Sequence, residues 1–319
     1  ESGIVGPLSR TAGRMTLLGC IGAAVSLTPN HNIRRALLNC FAFIVLLEAG
    51  FGLIATLLGY SGPLGIGVVD YAPGHHPANG WARAQGTFGG AKPDGVAFVN
   101  RANFYSAYLT VGLFVVLKRF EGRAITSGIA LIMVFGGIVA SGTRMSLIAA
   151  CLGLVVYVLL KRGSLVWLVA VAGLGITLLA VPITRNRFLS GVSDRVTLWE
   201  QALAVIEQAP WLGVGDGRYL QALSSLKSLE APILHTPHHS ILFASASYGV
   251  IAGFCLLGLY VFLVQHSFRF RNDEPLLLAM TVAFVCHDMT NNLFFVPEVA
   301  LSFRVAWALL DSGRSTARD

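Results

Sequence analysis

The sequence predicts an all-α fold, a polytopic bundle of transmembrane helices, and three observations predict it. Of its 319 residues, 55% are hydrophobic and only 12% charged, against about 25% charged in a soluble domain. Apolar stretches close to the ~20 residues needed to cross a bilayer recur from end to end. Basic residues collect in alternate short connections between those stretches, the pattern that orients a chain in a membrane. A soluble enzyme with one anchor is thereby excluded, and the chain reads as one integral membrane domain over 1–319.

About nine spans are expected, at roughly 15–28, 36–59, 98–117, 124–142, 145–160, 164–182, 240–264, 276–295 and 299–311. Arg34 with Arg35, Lys118 with Arg119 and Arg123, Lys161 with Arg162, Arg269 with Arg271, and Arg314 with Arg318 mark the cytoplasmic connections. The remaining connections, including the long loops 60–97 and 183–239, then lie on the outer side. An outward start and an odd number of spans predict that further helices precede residue 1. In the second long loop Val196, Trp199, Leu203 and Ile206 repeat at helical spacing, predicting an amphipathic helix along the outer membrane surface. Ser193 or Asp194 caps its start and Pro210 ends it, with Gly213, Gly215 and Gly217 following as a flexible turn.

The five cysteines (Cys20, Cys40, Cys151, Cys255 and Cys286) lie in apolar stretches with no CxxC pair and no histidine at zinc spacing, so they read as buried thiols and no metal site is expected. The net charge of +7 sits in loops between spans rather than on one soluble face, which argues for a membrane-bound anion and against nucleic acid.

Polar groups within spans are expensive and are usually placed for use, and here they collect at the outer end. Asn100, Arg101 and Asn103 begin one span, Arg144 sits at a tight turn, Asp288, Asn291 and Asn292 approach the end of another, and His238 and His239 precede a third. Glu48, mid-span, is the main exception. The outer loops and span ends also carry Arg83, Lys92, Arg185, Arg187, Arg195, Arg218 and Lys227. A cavity lined by arginine and histidine suits a lipid-linked pyrophosphate, because the guanidinium fork matches phosphate oxygens in bidentate fashion. His238 is the natural proton acceptor, since a neutral imidazole deprotonates a sugar hydroxyl near neutral pH. Asp216 and Asp288 are carboxylate alternatives, weakened as bases by nearby arginines. Each residue also has a structural reading: Arg144 as a snorkelling cation, Arg195 as a solvated helix start, His238 as a loop histidine, Glu48 as a hydrogen-bonded bundle carboxyl, and His75 with His76 as loop residues.

At these residues the chain resembles the O-antigen ligase and polymerase superfamily of integral membrane glycosyltransferases, over roughly 83–311. The stretch from Arg83 to Phe88, followed by Asn100 to Leu109, is similar to the family's Gly-Thr-Phe and Asn-Pro-Asn segments, with Arg101-Ala102 in place of Asn-Pro before Asn103. The Ser141 to Ser146 turn resembles the family's Ser-Arg turn and brings its arginine onto Arg144. Asp194 to Trp199, continuing through Pro210 to Gly215, resembles Arg-x3-Trp ending in Pro-x2-Gly-x-Gly and brings a second arginine onto Arg195. The family's His followed by Asn, Ser or Gln and, nine residues on, Gly sets His238 against Gly249, with His239 in the amide position.

The resemblance implies transfer of a glycan from undecaprenyl pyrophosphate to a hydroxyl of lipid A-core at the periplasmic face of a bacterial inner membrane, inverting, metal-independent and needing no cofactor. It implies His238 as base with Arg144 and Arg195 stabilising the pyrophosphate, and Arg218, Arg101, Asn103, His239 and Arg83 as substrate-binding. The implied partners are the undecaprenyl-pyrophosphate-linked glycan, the lipid A-core acceptor and membrane lipid. An O-antigen polymerase or an O-linked oligosaccharyltransferase shares the donor site and is the alternative within the class. A membrane transporter using Glu48, Asp288 and His287 is the alternative outside it.

Overall fold

The computed structural model describes residues 24–25, 28, 30–58, 67–69, 83–86, 101–161, 193–215, 217–226 and 236–311. The expected spans 15–28, almost entirely, and 164–182 lie outside these, as do Lys92, Arg185, Arg187, Asp216, Lys227 and His75 with His76. In chain order the elements are α1 (His31–Leu58), β1 (Gly67–Val69), β2 (Arg83–Gly86), α2 (Arg101–Arg119), α3 (Ala124–Ala140), α4 (Arg144–Leu160), α5 (Ser193–Gln208), α6 (Tyr219–Ser225), α7 (Ser240–Tyr248), α8 (Val250–Arg269), α9 (Pro275–Asp288), a 3-10 turn (Leu293–Phe295) and α10 (Pro297–Asp311). The fold is helical except for the antiparallel β1–β2 ribbon, which pairs Val69 with Arg83 and packs on α1 and α2. Among the described residues the helical class expected from the sequence holds, with this short ribbon as an addition that alternation over so few residues could not reveal.

The core forms around α2, which touches α1, α3, α4, α9 and α10. Its interior side chains Tyr105, Leu109, Leu113 and Phe114 are fully enclosed. Close approach rests on small residues: a side chain at Gly153 of α4 would run into Phe114 and the backbone of Ala279 on α9, the small-residue contact by which helices pack where lipid offers no hydrophobic drive. Outward faces are apolar instead of charged, with Ile125, Ile129 and Ile132 on α3 and Ile251, Phe254 and Phe262 on α8 exposed. Such belts suit hydrocarbon and not water. α1 and α8 are long and apolar enough to cross a membrane, while α3, α4 and α9 are apolar and shorter.

Polar contacts sort to the two ends of the bundle. At one end Lys118 binds Glu274 at 2.9 Å and Lys161 binds Glu121 at 2.8 Å, tying together the ends of α2, α4 and α9 where the basic short connections lie. At the other end are the start of α2, the starts of α4 and α7, and the end of α9, held by contacts among Asn103, Thr143, Ser240 and Asp288.

Three expectations change. The span predicted at 240–264 is two helices, α7 and α8, broken at Gly249, whose φ of 93° lies in the left-handed region. The span at 276–295 ends its α-helix at Asp288, then turns through the 3-10 segment. α5 covers the expected range and ends before Pro210, but its buried face is Leu198, Gln201, Ala202 and Val205, whereas Val196 and Leu203 are 46% and 50% exposed. α5 therefore packs on α6 and α7, in a cluster with Tyr219, Leu223 and Ala246.

Candidate functional site

The Gly-rich segment after α5 is docked rather than flexible. The α7 carbonyls of Ala246 and Ser247, which lack helical partners at its C-terminus, accept from the N–H groups of Val214 and Gly215, each at 2.9 Å. Val250, opening α8, donates to the Pro210 carbonyl at 2.8 Å. A side chain at Gly213 would strike the backbone of Ser247 and Tyr248, and one at Gly249 the backbone of Trp211 and Leu212. The two glycine positions that looked like separate motifs thus form one backbone interlock. It fixes where α7 ends, one short helix away from His238 and His239.

His239 is the N-cap of α7, its Nδ1 accepting from the Leu242 N–H at 3.4 Å and its ring edge-on to Trp199 at 5.7 Å. Burial holds its pKa below the ordinary histidine value, against a raising backbone hydrogen bond. With Nδ1 committed as an acceptor, the proton rests on Nε2, so the ring gains a second proton only by giving up the cap. His238 differs: it is the sole non-glycine residue at positive φ among those described, at 49°, a conformation that costs roughly 1 kcal/mol and persists only where the surroundings impose it. This backbone turns it onto the wall of a cavity of about 220 Å³.

That cavity lies between the start of α2, represented by Asn103 and Phe104, and the turn after α9, represented by Asn291, Asn292 and Phe295. Thr236 and Phe243 complete the side formed by α7 and its approach. Asn103 accepts from the Thr143 hydroxyl at 3.1 Å, which sets the start of α4, and so Arg144, beside it. Arg195 reaches across from α5 and donates from one guanidinium nitrogen to the Thr290 carbonyl at 2.6 Å. Burial lowers its pKa from the ordinary arginine value, yet a guanidinium stays charged and keeps four further N–H donors. Among the described residues the lining holds His238 but no arginine or lysine; Arg144 and Arg195 adjoin it through Thr143 and Thr290.

The turn after α9 is organised by Asp288, which is 0% exposed. Its carboxylate accepts from the Ser240 hydroxyl at 2.7 Å, the Phe294 N–H at 2.9 Å and the Tyr260 hydroxyl. One acid thus ties α7, α8, α9 and the 3-10 turn together, and sequence reasoning missed Ser240 and Tyr260 because a hydroxyl in an apolar helix names no partner. His287 points away from Asp288, to Ser146 at 3.2 Å, which in turn meets Ser106 at 2.6 Å. The acid and histidine expected on a transport path therefore serve separate packing contacts. Glu48 presents its backbone carbonyl to the Tyr105 hydroxyl at 3.0 Å. Arg218 is exposed at the start of α6 and is not on the cavity wall; Arg101 opens α2 and Arg83 lies on β2, with side chains outside the description.

Residues 129–257 match a family model described as O-antigen ligase. A curated protein of Pseudomonas aeruginosa named O-antigen ligase is 28% identical over 189 residues, covering 56% of this chain. The chain spans 44% of that relative's length.

Proposed function

We propose that this chain, whose residues 129–257 match a family model described as O-antigen ligase, transfers a glycan from undecaprenyl pyrophosphate to a hydroxyl of lipid A-core, inverting and without metal, at the periplasmic face of a bacterial inner membrane. The observation that carries this reading is the placement of His238 on the wall of a cavity whose Asn103 is held by Thr143, next to Arg144, and whose turn after α9 is held by Arg195 at the Thr290 carbonyl. His238 takes the proton of the acceptor hydroxyl as its oxygen bonds to the anomeric carbon. The bond from that carbon to the pyrophosphate breaks, and the departing negative charge is met by the two guanidinium groups. Arg218, Arg101 and Arg83 bind further along the donor, Asn103 contacts substrate directly, and His239 orients the site as the cap of α7.

The test is to incubate the full-length protein in proteoliposomes with lipid-linked glycan and lipid A-core in the presence of a chelator. Formation of glycan-bearing lipid A-core is expected. A wild-type preparation that yields no conjugate overturns the proposal.

A further inference from the structure

A histidine inside an apolar helix is costly to keep in a membrane bundle, and such a residue is usually placed for use. His287 is 1% exposed near the end of α9, and its Nε2 lies 3.2 Å from the Ser146 hydroxyl. Ser146, itself 0% exposed, meets the Ser106 hydroxyl at 2.6 Å, and Ser106 donates to the Asn103 carbonyl at 3.0 Å. A hydroxyl has one proton to give. With that of Ser106 committed to Asn103, Ser146 donates to Ser106, and His287 donates its Nε2–H to Ser146. This chain of hydrogen bonds therefore runs in one direction, from α9 through the start of α4 to the start of α2.

Arg144 stands between two anchored hydroxyls. Thr143, before it, donates to the Asn103 amide oxygen at 3.1 Å, and Ser146, shortly after it, accepts from His287. The backbone of His287 serves Arg195. The His287 carbonyl accepts from the Thr290 hydroxyl at 2.8 Å and from the Thr290 N–H at 3.1 Å, and the Thr290 carbonyl accepts from Arg195 at 2.6 Å. One residue thus connects to both arginines by separate routes, its ring to the first turn of α4 and its carbonyl to the partner of Arg195. An apolar side chain would fill the same interior without the desolvation of an imidazole, but it would leave Ser146 unanchored on the α9 side.

We propose that His287 is a positioning residue for glycan transfer, its ring holding the first turn of α4 so that Arg144 meets the same pyrophosphate as Arg195. This rests on the assignment of the two arginines proposed above, but donor binding is measurable separately from transfer. His287 acts through Ser146 and not on the substrate.

The experiment measures binding of undecaprenyl pyrophosphate to the full-length protein in nanodiscs, and transfer to lipid A-core, for wild type, His287→Ala, His287→Gln, Ser146→Ala, Arg144→Ala and the double variant of His287→Ala with Arg144→Ala. Glutamine carries an amide N–H near the place of Nε2 and is expected to restore the bond to Ser146. Ser267→Ala removes another buried bond, from α8 to Thr281 of α9 at 2.9 Å, and is the control for lost stability; thermal unfolding of every variant confirms that it is folded. Loss of one buried hydrogen bond weakens binding by about tenfold. His287→Ala and Ser146→Ala are each expected to lose about that much donor affinity, while His287→Gln and Ser267→Ala bind as wild type does. In the Arg144→Ala background, His287→Ala is expected to add no further loss, because residues that act through one another are not additive. Donor binding by wild type in this pattern without any transfer to lipid A-core supports the positioning and sinks the reaction. Wild-type donor affinity in folded His287→Ala and Ser146→Ala, a loss on Arg144→Ala as large as on wild type, or the same loss in Ser267→Ala overturns the positioning and leaves the reaction standing.

Discussion

Two adjacent histidines divide their work by hydrogen bonding. His239 uses Nδ1 to cap α7, the task that asparagine or serine performs at helix starts, which gives a physical reason for an amide at that position in related sequences. His239→Asn is therefore expected to retain most transfer activity, while His238→Ala loses it, with rates measured on the same acceptor. Because burial depresses the folded pKa of His239 from its reference of 6.5, the unfolded chain binds the proton more readily. The stabilisation from the neutral cap is present above 6.5 and is lost as pH falls through the folded value. Thermal melts of wild type should weaken below that reference more steeply than those of His239→Asn; parallel curves contradict the assignment. Arg144→Ala and Arg195→Ala should each lower transfer by on the order of a hundredfold, the usual cost of one charge-stabilising donor, and lysine should rescue poorly because it lacks the fork. Full activity in Arg144→Ala leaves that side chain only its snorkelling role.

Hydropathy made the apolar helices legible, α1 and α8 being long enough to cross a membrane, because lipid demands long apolar runs whatever they pack against. It did not expose the break between α7 and α8. Apolar sequence continues on both sides of Gly249, and glycine is common within spans, so only the φ of 93° and the contact with the Trp211 carbonyl reveal the discontinuity. α5 forms where expected, but its apolar set is split: Ile206 joins Ala202 and Val205 against Tyr219 and Leu223, while Val196 and Leu203 stay exposed. Gly249→Ala is expected to lower the melting temperature and to abolish transfer, since the added carbon meets fixed backbone at a strained φ. Tyr260→Phe removes one donor from the buried Asp288 and should cost about 1–3 kcal/mol in unfolding free energy. An unchanged melt in either variant shows that the corresponding junction is not what holds α7.

Across the whole molecule, the positions of charge were legible and their partners were not. The structure brings Lys118 and Lys161 together through Glu121, and His238 and Asn103 together at the cavity, the grouping that the alternating basic connections predict. The cavity joins residues from opposite parts of the chain, Asn103 and Asn291 among them, and no local pattern encodes that meeting. Cysteines placed at 83 and 238 should both react with an impermeant reagent added outside intact spheroplasts; reaction of either only after permeabilisation overturns the orientation. The most direct measurement of the central claim follows where a labelled glycan resides after reaction of its undecaprenyl-pyrophosphate donor with lipid A-core and the reconstituted full-length protein. The account predicts label on lipid A-core, with one undecaprenyl pyrophosphate released for each conjugate formed; label lengthened on undecaprenyl pyrophosphate, or moved across the membrane still attached to its original lipid, contradicts it.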